Sequence, residues 1–246
     1  MVAFLAAGWG ALAASSLVVG AMIALVRPIA PRPLGVIMAF GAGVLISSVA
    51  FELVEEAVAV GGQLAMASGL AIGALVFFAG DELIDRMGAE GMGTLDGPSS
   101  PGSGLAIVLG AALDGVPESV VLGLSVAAGA GTGTGLAFLA AVFLSNLPEA
   151  IAGTAGLKAG GWQPRRIIGL WLVVVAASAI AAFVGGTLLD AGQGEVRAFI
   201  LAFAGGAILT MLADTLVPEA FDKAGSLAGP VTTLGFGVAF ALSLLD

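Results

Sequence analysis

The fold class predicted from the sequence is an all-α polytopic membrane protein, with eight transmembrane helices in a three-plus-two-plus-three inverted-repeat arrangement. Three observations predict it. Of 246 residues, 59% are hydrophobic and another 39 are glycine, while only 10% are charged and the mean hydropathy is +1.12. A soluble domain carries charge on roughly a quarter of its residues, so most of this surface faces lipid. The apolar residues fall into about eight stretches, each close to the ~20 residues that cross a bilayer as helix. The Lys and Arg between them fall almost entirely on one side.

The expected spans cover approximately 3–26, 34–58, 63–84, 104–128, 134–158, 166–189, 196–220 and 229–245, all within a single domain, 1–246. The first lacks a basic start and is too long and uniform for a signal peptide. Arg27 and Arg32 follow span one, Arg86 follows span three, Lys158, Arg165 and Arg166 follow span five, and Lys223 follows span seven. Only Arg197 falls on the opposite side. Basic residues are retained in the cytoplasm, so a multi-pass protein of the cell (inner) membrane with both termini extracytoplasmic is expected. Glu90–Gly104, rich in Gly, Ser and Pro, reads as a flexible cytoplasmic loop. A barrel is disfavoured because Leu170–Val184 is apolar nearly all round instead of alternating.

Phe40–Ala57 (FGAGVLISSVAFELVEEA) matches Phe203–Ala220 (FAGGAILTMLADTLVPEA) without gaps at an offset of 163, with Phe40/Phe203, Gly43/Gly206, Leu53/Leu216 and Glu56/Glu219 coincident. Span two then runs outward and span seven inward, which makes the repeat inverted. Such repeats are typical of secondary transporters, whose sites lie near the midplane at the repeat interface.

Composition narrows the chemistry. With no cysteine and no histidine, disulfides, Cys/His zinc knuckles, Ser-His-Asp triads and histidine proton switches are excluded. A net charge of −9 with 8 scattered Lys and Arg argues against nucleic acid. What remains belongs to oxygen ligands.

Those ligands concentrate in spans four and five, as Leu113-Asp114-Gly115-Val116-Pro117-Glu118 and Leu144-Ser145-Asn146-Leu147-Pro148-Glu149. An ionised carboxylate at mid-membrane depth costs about 2.5–3.5 kcal/mol on insertion scales, so three of them need compensation. No Lys or Arg lies in the interior of any expected span, away from its ends, which leaves protons, water or a bound cation. Asp114 and Glu118 are four apart and share a helix face, as do Ser145 and Glu149, with Asn146 one position round. Pro117 and Pro148 each leave a carbonyl four residues earlier unpaired, at Leu113 and Leu144. Within hydrocarbon that defect is tolerated only when it is buried in protein or lines a watery cavity. Glu52 and Asp214, inside apolar stretches of spans two and seven, are candidate pathway residues. Glu55, Glu56, Asp81, Glu82, Asp85 and Glu219 lie nearer helix ends and read as solvated interfacial charges.

At these residues the chain resembles the ZIP (Zrt/Irt-like protein) family of divalent metal transporters, which has eight helices, a His-Asn-x-Pro-Glu motif in the fourth and a polar-polar-x-Pro-Glu motif in the fifth. It would be a divergent, histidine-free member. The resemblance implies a primary metal site of Asp114, Glu118, Ser145 and Glu149 with Asn146 at its edge. Asp114 stands at the family's histidine and Gly115 at its asparagine, and span six holds no acid, so the second metal of some relatives is not expected. The resemblance also implies a moving unit of helices one, four, five and six against a scaffold of two, three, seven and eight, and a homodimer through that scaffold. It supplies zinc as the expected metal, whereas an all-oxygen site also suits manganese, iron or magnesium.

Transport of such an ion by alternating access needs no resident cofactor and no enzymatic step. Proton-coupled transport of another small solute through the same carboxylates is the alternative. An intramembrane acid protease would need paired aspartates, which Asp81 and Asp114 only approximate, and leaves both Pro-Glu steps without a role.

Overall fold

The computed structural model describes residues 1–86, 103–127, 133–188 and 194–244, almost entirely helical apart from short connections such as 27–30 and 160–163, with no strand among them. The elements are α1 (Val2–Val26), α2 (Pro31–Ser48), α3 (Glu55–Arg86), α4 (Ser103–Ala127), α5 (Gly133–Ala159), α6 (Pro164–Leu188), α7 (Gly194–Met211), α8 (Val217–Ala224) and α9 (Ala228–Ser243). The expected loop at 90–104 lies outside the described residues apart from Ser103 and Gly104, which open α4.

Six helical stretches are long and apolar enough to cross a membrane: Val2–Val26, Pro31–Ile84, Leu109–Ala127, Phe138–Ala159, Pro164–Thr187 and Gly194–Ser243. Their composition is compatible with a membrane-embedded protein. Large apolar side chains point outward, among them Phe4 and Leu12 on α1, Leu75 and Phe78 on α3, and Leu172, Val173 and Ile180 on α6.

Two of the six stretches hold 54 and 50 residues, about 80 and 75 Å if straight at 1.5 Å per residue. Neither is straight. Gly62 interrupts the first with φ 80° and ψ 178°, and Gly225 interrupts the second with φ 62° and ψ −140°. Only glycine takes such positive φ without strain. Each stretch also contains a π-helical turn, Val49–Val54 joining α2 to α3 and Leu212–Leu216 joining α7 to α8. The two breaks, and the starts of the two π-turns, stand at the same offset of 163 as the matching sequences.

Small residues let the backbones approach closely, and their contacts give the helix directions. Gly10 lies against Ser178 and Ala182 while Gly186 lies against Ala3 and Ala6, so α1 and α6 are antiparallel. Gly20 meets Leu147 and Ala150, and Lys158 Nζ donates to the Leu25 carbonyl at 3.1 Å, so α1 and α5 are parallel. Gly115 faces Ser178 and Gly123 faces Ala182 and Gly186, making α4 parallel to α6. Gly61 lies against Gly194 and Ala198 and Gly73 against Phe203, making α3 parallel to α7. Gly43 meets Thr232, and the Phe51 ring meets Phe236 and Phe240, making α2 parallel to α9.

Two groups result. In one, α1, α5 and α6 bury Leu17, Ala21, Ala150, Leu157, Ile167 and Trp171, with the Trp171 indole donating to Thr154 Oγ1 at 2.8 Å. In the other, α2, α3, α7, α8 and α9 bury Leu45, Leu53, Phe77, Leu201, Ile208 and Leu216, and Ala13 of α1 and Phe138, Ala141 and Val142 of α5 join them. Helix α4 packs on α6 and reaches the second group through Val121, Leu122 and Leu124.

Candidate functional site

Pro117 and Pro148 both sit inside continuous helix, α4 and α5 respectively. One turn of α4 separates Asp114 from Glu118, and one turn of α5 separates Ser145 from Glu149, so each helix presents its pair on one side. The two sides meet. Asp114, Glu118, Ser145, Asn146 and Glu149 all line one cavity, closed by Met38 from α2, Met211 from α7, Thr215 and Leu216 from the second π-turn, and Glu219 from α8. The cavity therefore lies where α4 and α5 face the group built on α2 and α7.

The cavity is small, about 30 Å³, which is room for roughly two water-sized bodies at ~10–15 Å³ each. Its polar groups are withdrawn from solvent: Glu118 is 1% exposed, and Ser145 and Asn146 are 4% exposed. Glu118 Oε2 and Glu149 Oε1 are buried without a hydrogen-bond partner among the described residues. A buried polar atom left unsatisfied costs about 1–3 kcal/mol, so two around one cavity point to a partner that the described residues do not supply. Ser145 donates its hydroxyl proton to the Val142 carbonyl at 3.1 Å, which leaves its oxygen lone pairs to accept or to ligate. No Lys or Arg among the described residues lines the space.

As oriented, the side chains are not a closed coordination shell, since no three acidic groups among the described residues stand close enough together to grip one ion. Gripping one would require the α4 and α5 carboxylates to move inward. Gly115 turns away from the cavity toward the Ser178 hydroxyl of α6, 3.5 Å from where a Cβ would stand.

The two pathway candidates lie elsewhere. Glu52 is in the first π-turn, where it accepts from Ser48 Oγ at 3.2 Å, and it does not line the cavity. Asp214 is exposed in the second π-turn and lines a separate groove of about 490 Å³ with Met66, Leu70, Gly206, Leu209 and Thr210.

Five lining residues escaped the sequence reading: Met38, Met211, Thr215, Leu216 and Glu219. Glu219, read as a solvated interfacial charge, faces the cavity and is ion-paired with Lys223. A signal for it exists, because Val217-Pro218-Glu219 is a third Pro-Glu step like those ending at Glu118 and Glu149. Met38 and Met211 looked like ordinary apolar filling, yet both thioethers belong to residues on the cavity wall. Gly80, next to Asp81, packs against Leu113, which brings α3 beside the start of the α4 motif. At the far end of α7, Arg197 pairs with Glu56 and ties α7 to the start of α3.

Comparison with protein-family models and with curated proteins finds no match to this chain.

Proposed function

We propose that this protein carries divalent metal cations across a membrane by alternating access, with a ZIP-like architecture of eight spans. One observation carries the reading: three carboxylates on α4 and α5, two of them with a buried oxygen that no described residue satisfies, surround a cavity with no basic residue among those described in its wall. A dehydrated divalent ion meets that demand with charge and with coordination. The alternative, proton-coupled carriage of an organic solute, would need a larger space than the about 30 Å³ found here.

Helix direction favours eight crossings over six. If the two long stretches each crossed once, α1 and α6 would run the same way and α1 and α5 oppositely; the contacts of Gly10, Gly186 and Gly20 imply the reverse. Breaks at Gly62 and Gly225 divide each stretch into two crossings, and their common offset with the π-turns supports an inverted repeat. The position of the cavity, between a group containing α1, α5 and α6 and one containing α2, α3, α7, α8 and α9, suits a mechanism in which one group moves against the other.

The wall chemistry bears on the cargo. Carboxylate and hydroxyl oxygens suit magnesium, manganese and iron, while two neighbouring thioethers shift the balance toward zinc and other softer ions. The test is uptake of zinc, manganese, iron, cadmium and magnesium into proteoliposomes. Accumulation that Glu118→Gln or Glu149→Gln abolishes is the expected result. No flux of any of these ions through folded wild-type protein would refute the reading.

A further inference from the structure

A lysine four residues beyond an acid near a helix end is usually a solvated pair worth about 0.3–0.5 kcal/mol. Lys223 is not placed that way. Its side chain is only 8% exposed and that of its partner Glu219 only 18%. Gly35 of α2 lies against the backbone and Cβ of Lys223, so α8 packs closely on a neighbouring helix at this residue. A lysine in the last turn of α8 would ordinarily extend its ammonium outward to water. Here the ammonium folds back one turn onto a carboxylate that lines the cavity. Glu219 is also within electrostatic reach of both Asp114 and Glu149. One positive charge is thereby tethered at the edge of a space ringed by Asp114, Glu118, Glu149 and Glu219.

We propose that Lys223 is a tethered counter-cation of the metal site: its ammonium holds Glu219 when no metal is bound, and a divalent ion gains that carboxylate only by displacing it. This rests on the transport reading above and specifies how the site lets its cargo go. Entry of the ion expels the Lys223 ammonium from Glu219, since a dication and an ammonium cannot share the carboxylate without strong repulsion. On departure the ammonium returns, and its return keeps Glu219 from retaining the ion. Lys223 therefore weakens equilibrium binding and speeds release.

The experiment uses the full chain in detergent, with Mn²⁺ and Cd²⁺ as probes. Lys223→Met should bind the ion on the order of tenfold more tightly and release it correspondingly more slowly. Lys223→Arg should stay near wild type, and in a Glu219→Gln background Lys223→Met should change little. A second arm needs no variant: amine-reactive labelling of wild-type protein, read by mass spectrometry, should rise several-fold at Lys223 on adding metal and stay constant at Lys158. Unchanged affinity in folded Lys223→Met overturns the proposal, as does the same tightening in the Glu219→Gln background or metal-independent labelling of Lys223. Failure of wild-type protein to bind either ion would instead sink the transport reading, which separates the two.

Discussion

Replacing Glu118 by glutamine keeps the shape of the side chain and removes its charge, which makes it the sharpest probe of the cavity. Glu118 is 1% exposed and its Oε2 has no hydrogen-bond partner among the described residues. If the group is held ready for a cation, metal-free protein carries the desolvation cost of an unpaired carboxylate, and Glu118→Gln relieves part of it. The gain should be about 1–3 kcal/mol, or roughly 2–10 °C in melting temperature for a chain of this size. Metal should act in the opposite sense. At a hundredfold excess over Kd a bound ion stabilises wild type by about 2.7 kcal/mol, which is roughly 5–10 °C, and Glu118→Gln should lose most of that shift. The assay is thermal unfolding of detergent-purified protein across a metal titration. A variant that is less stable without metal, or that responds to metal as wild type does, would refute this account and make Glu118 a satisfied structural group.

Three further outcomes are expected. With no native cysteine, Gln63→Cys and Ser226→Cys, both at exposed positions beside the glycine breaks, should be labelled by an impermeant thiol reagent from opposite sides in intact cells, Gln63 from outside; labelling from the same side would exclude eight alternating spans. Gly62→Ala should lose about 1–3 kcal/mol from the backbone conformation alone, because no neighbouring atom lies near enough to clash; thermal unfolding checks it against Gly8→Ala, whose site is equally open and which should not lose stability. Met38→Leu should weaken Cd²⁺ binding on the order of tenfold while leaving Mn²⁺ little changed, as expected where a thioether contributes to a soft ion and not to a hard one; equal loss for both ions in competition binding would return Met38 to a packing role.

Much of the fold was legible because lipid imposes a coarse rule. A segment that must satisfy its own backbone and face hydrocarbon is helical and apolar over about 20 residues, so the apolar stretches announce themselves without any tertiary information. The pairs Asp114/Glu118 and Ser145/Glu149 were legible for a similarly local reason: four residues make about one helical turn, and spacing alone puts both side chains on one face. Helix ends were less accurate. Span two was expected to end at 58, yet helix continues to the break at Gly62, through a π-turn that sequence periodicity does not flag.

Asp214 lies in a second such turn. A π-turn inserts an extra residue and rotates the rest of the helix by roughly 100° relative to α-helical spacing. In the second π-turn Thr215 and Leu216 line the cavity while Asp214 lines a different groove, and the next turn brings in Glu219. Met211, Thr215 and Glu219 are also four apart in sequence, the spacing of one helix face, so counting along the helix already separates them from Asp214.

By itself, then, the sequence determined helical content, apolar character, the scarcity of basic residues and the two local ligand pairs, all of which derive from composition or from spacing within one helix. Tertiary structure alone decided that α2, α7 and α8 complete the cavity, that Met38 and Met211 enter its wall, and that Lys223 turns toward Glu219. The physical reason is range. Contacts between helices depend on which small residues meet across the bundle, as where Gly35 lies beside Lys223 and Gly43 beside Thr232, and such complementarity belongs to pairs of surfaces far apart along the chain.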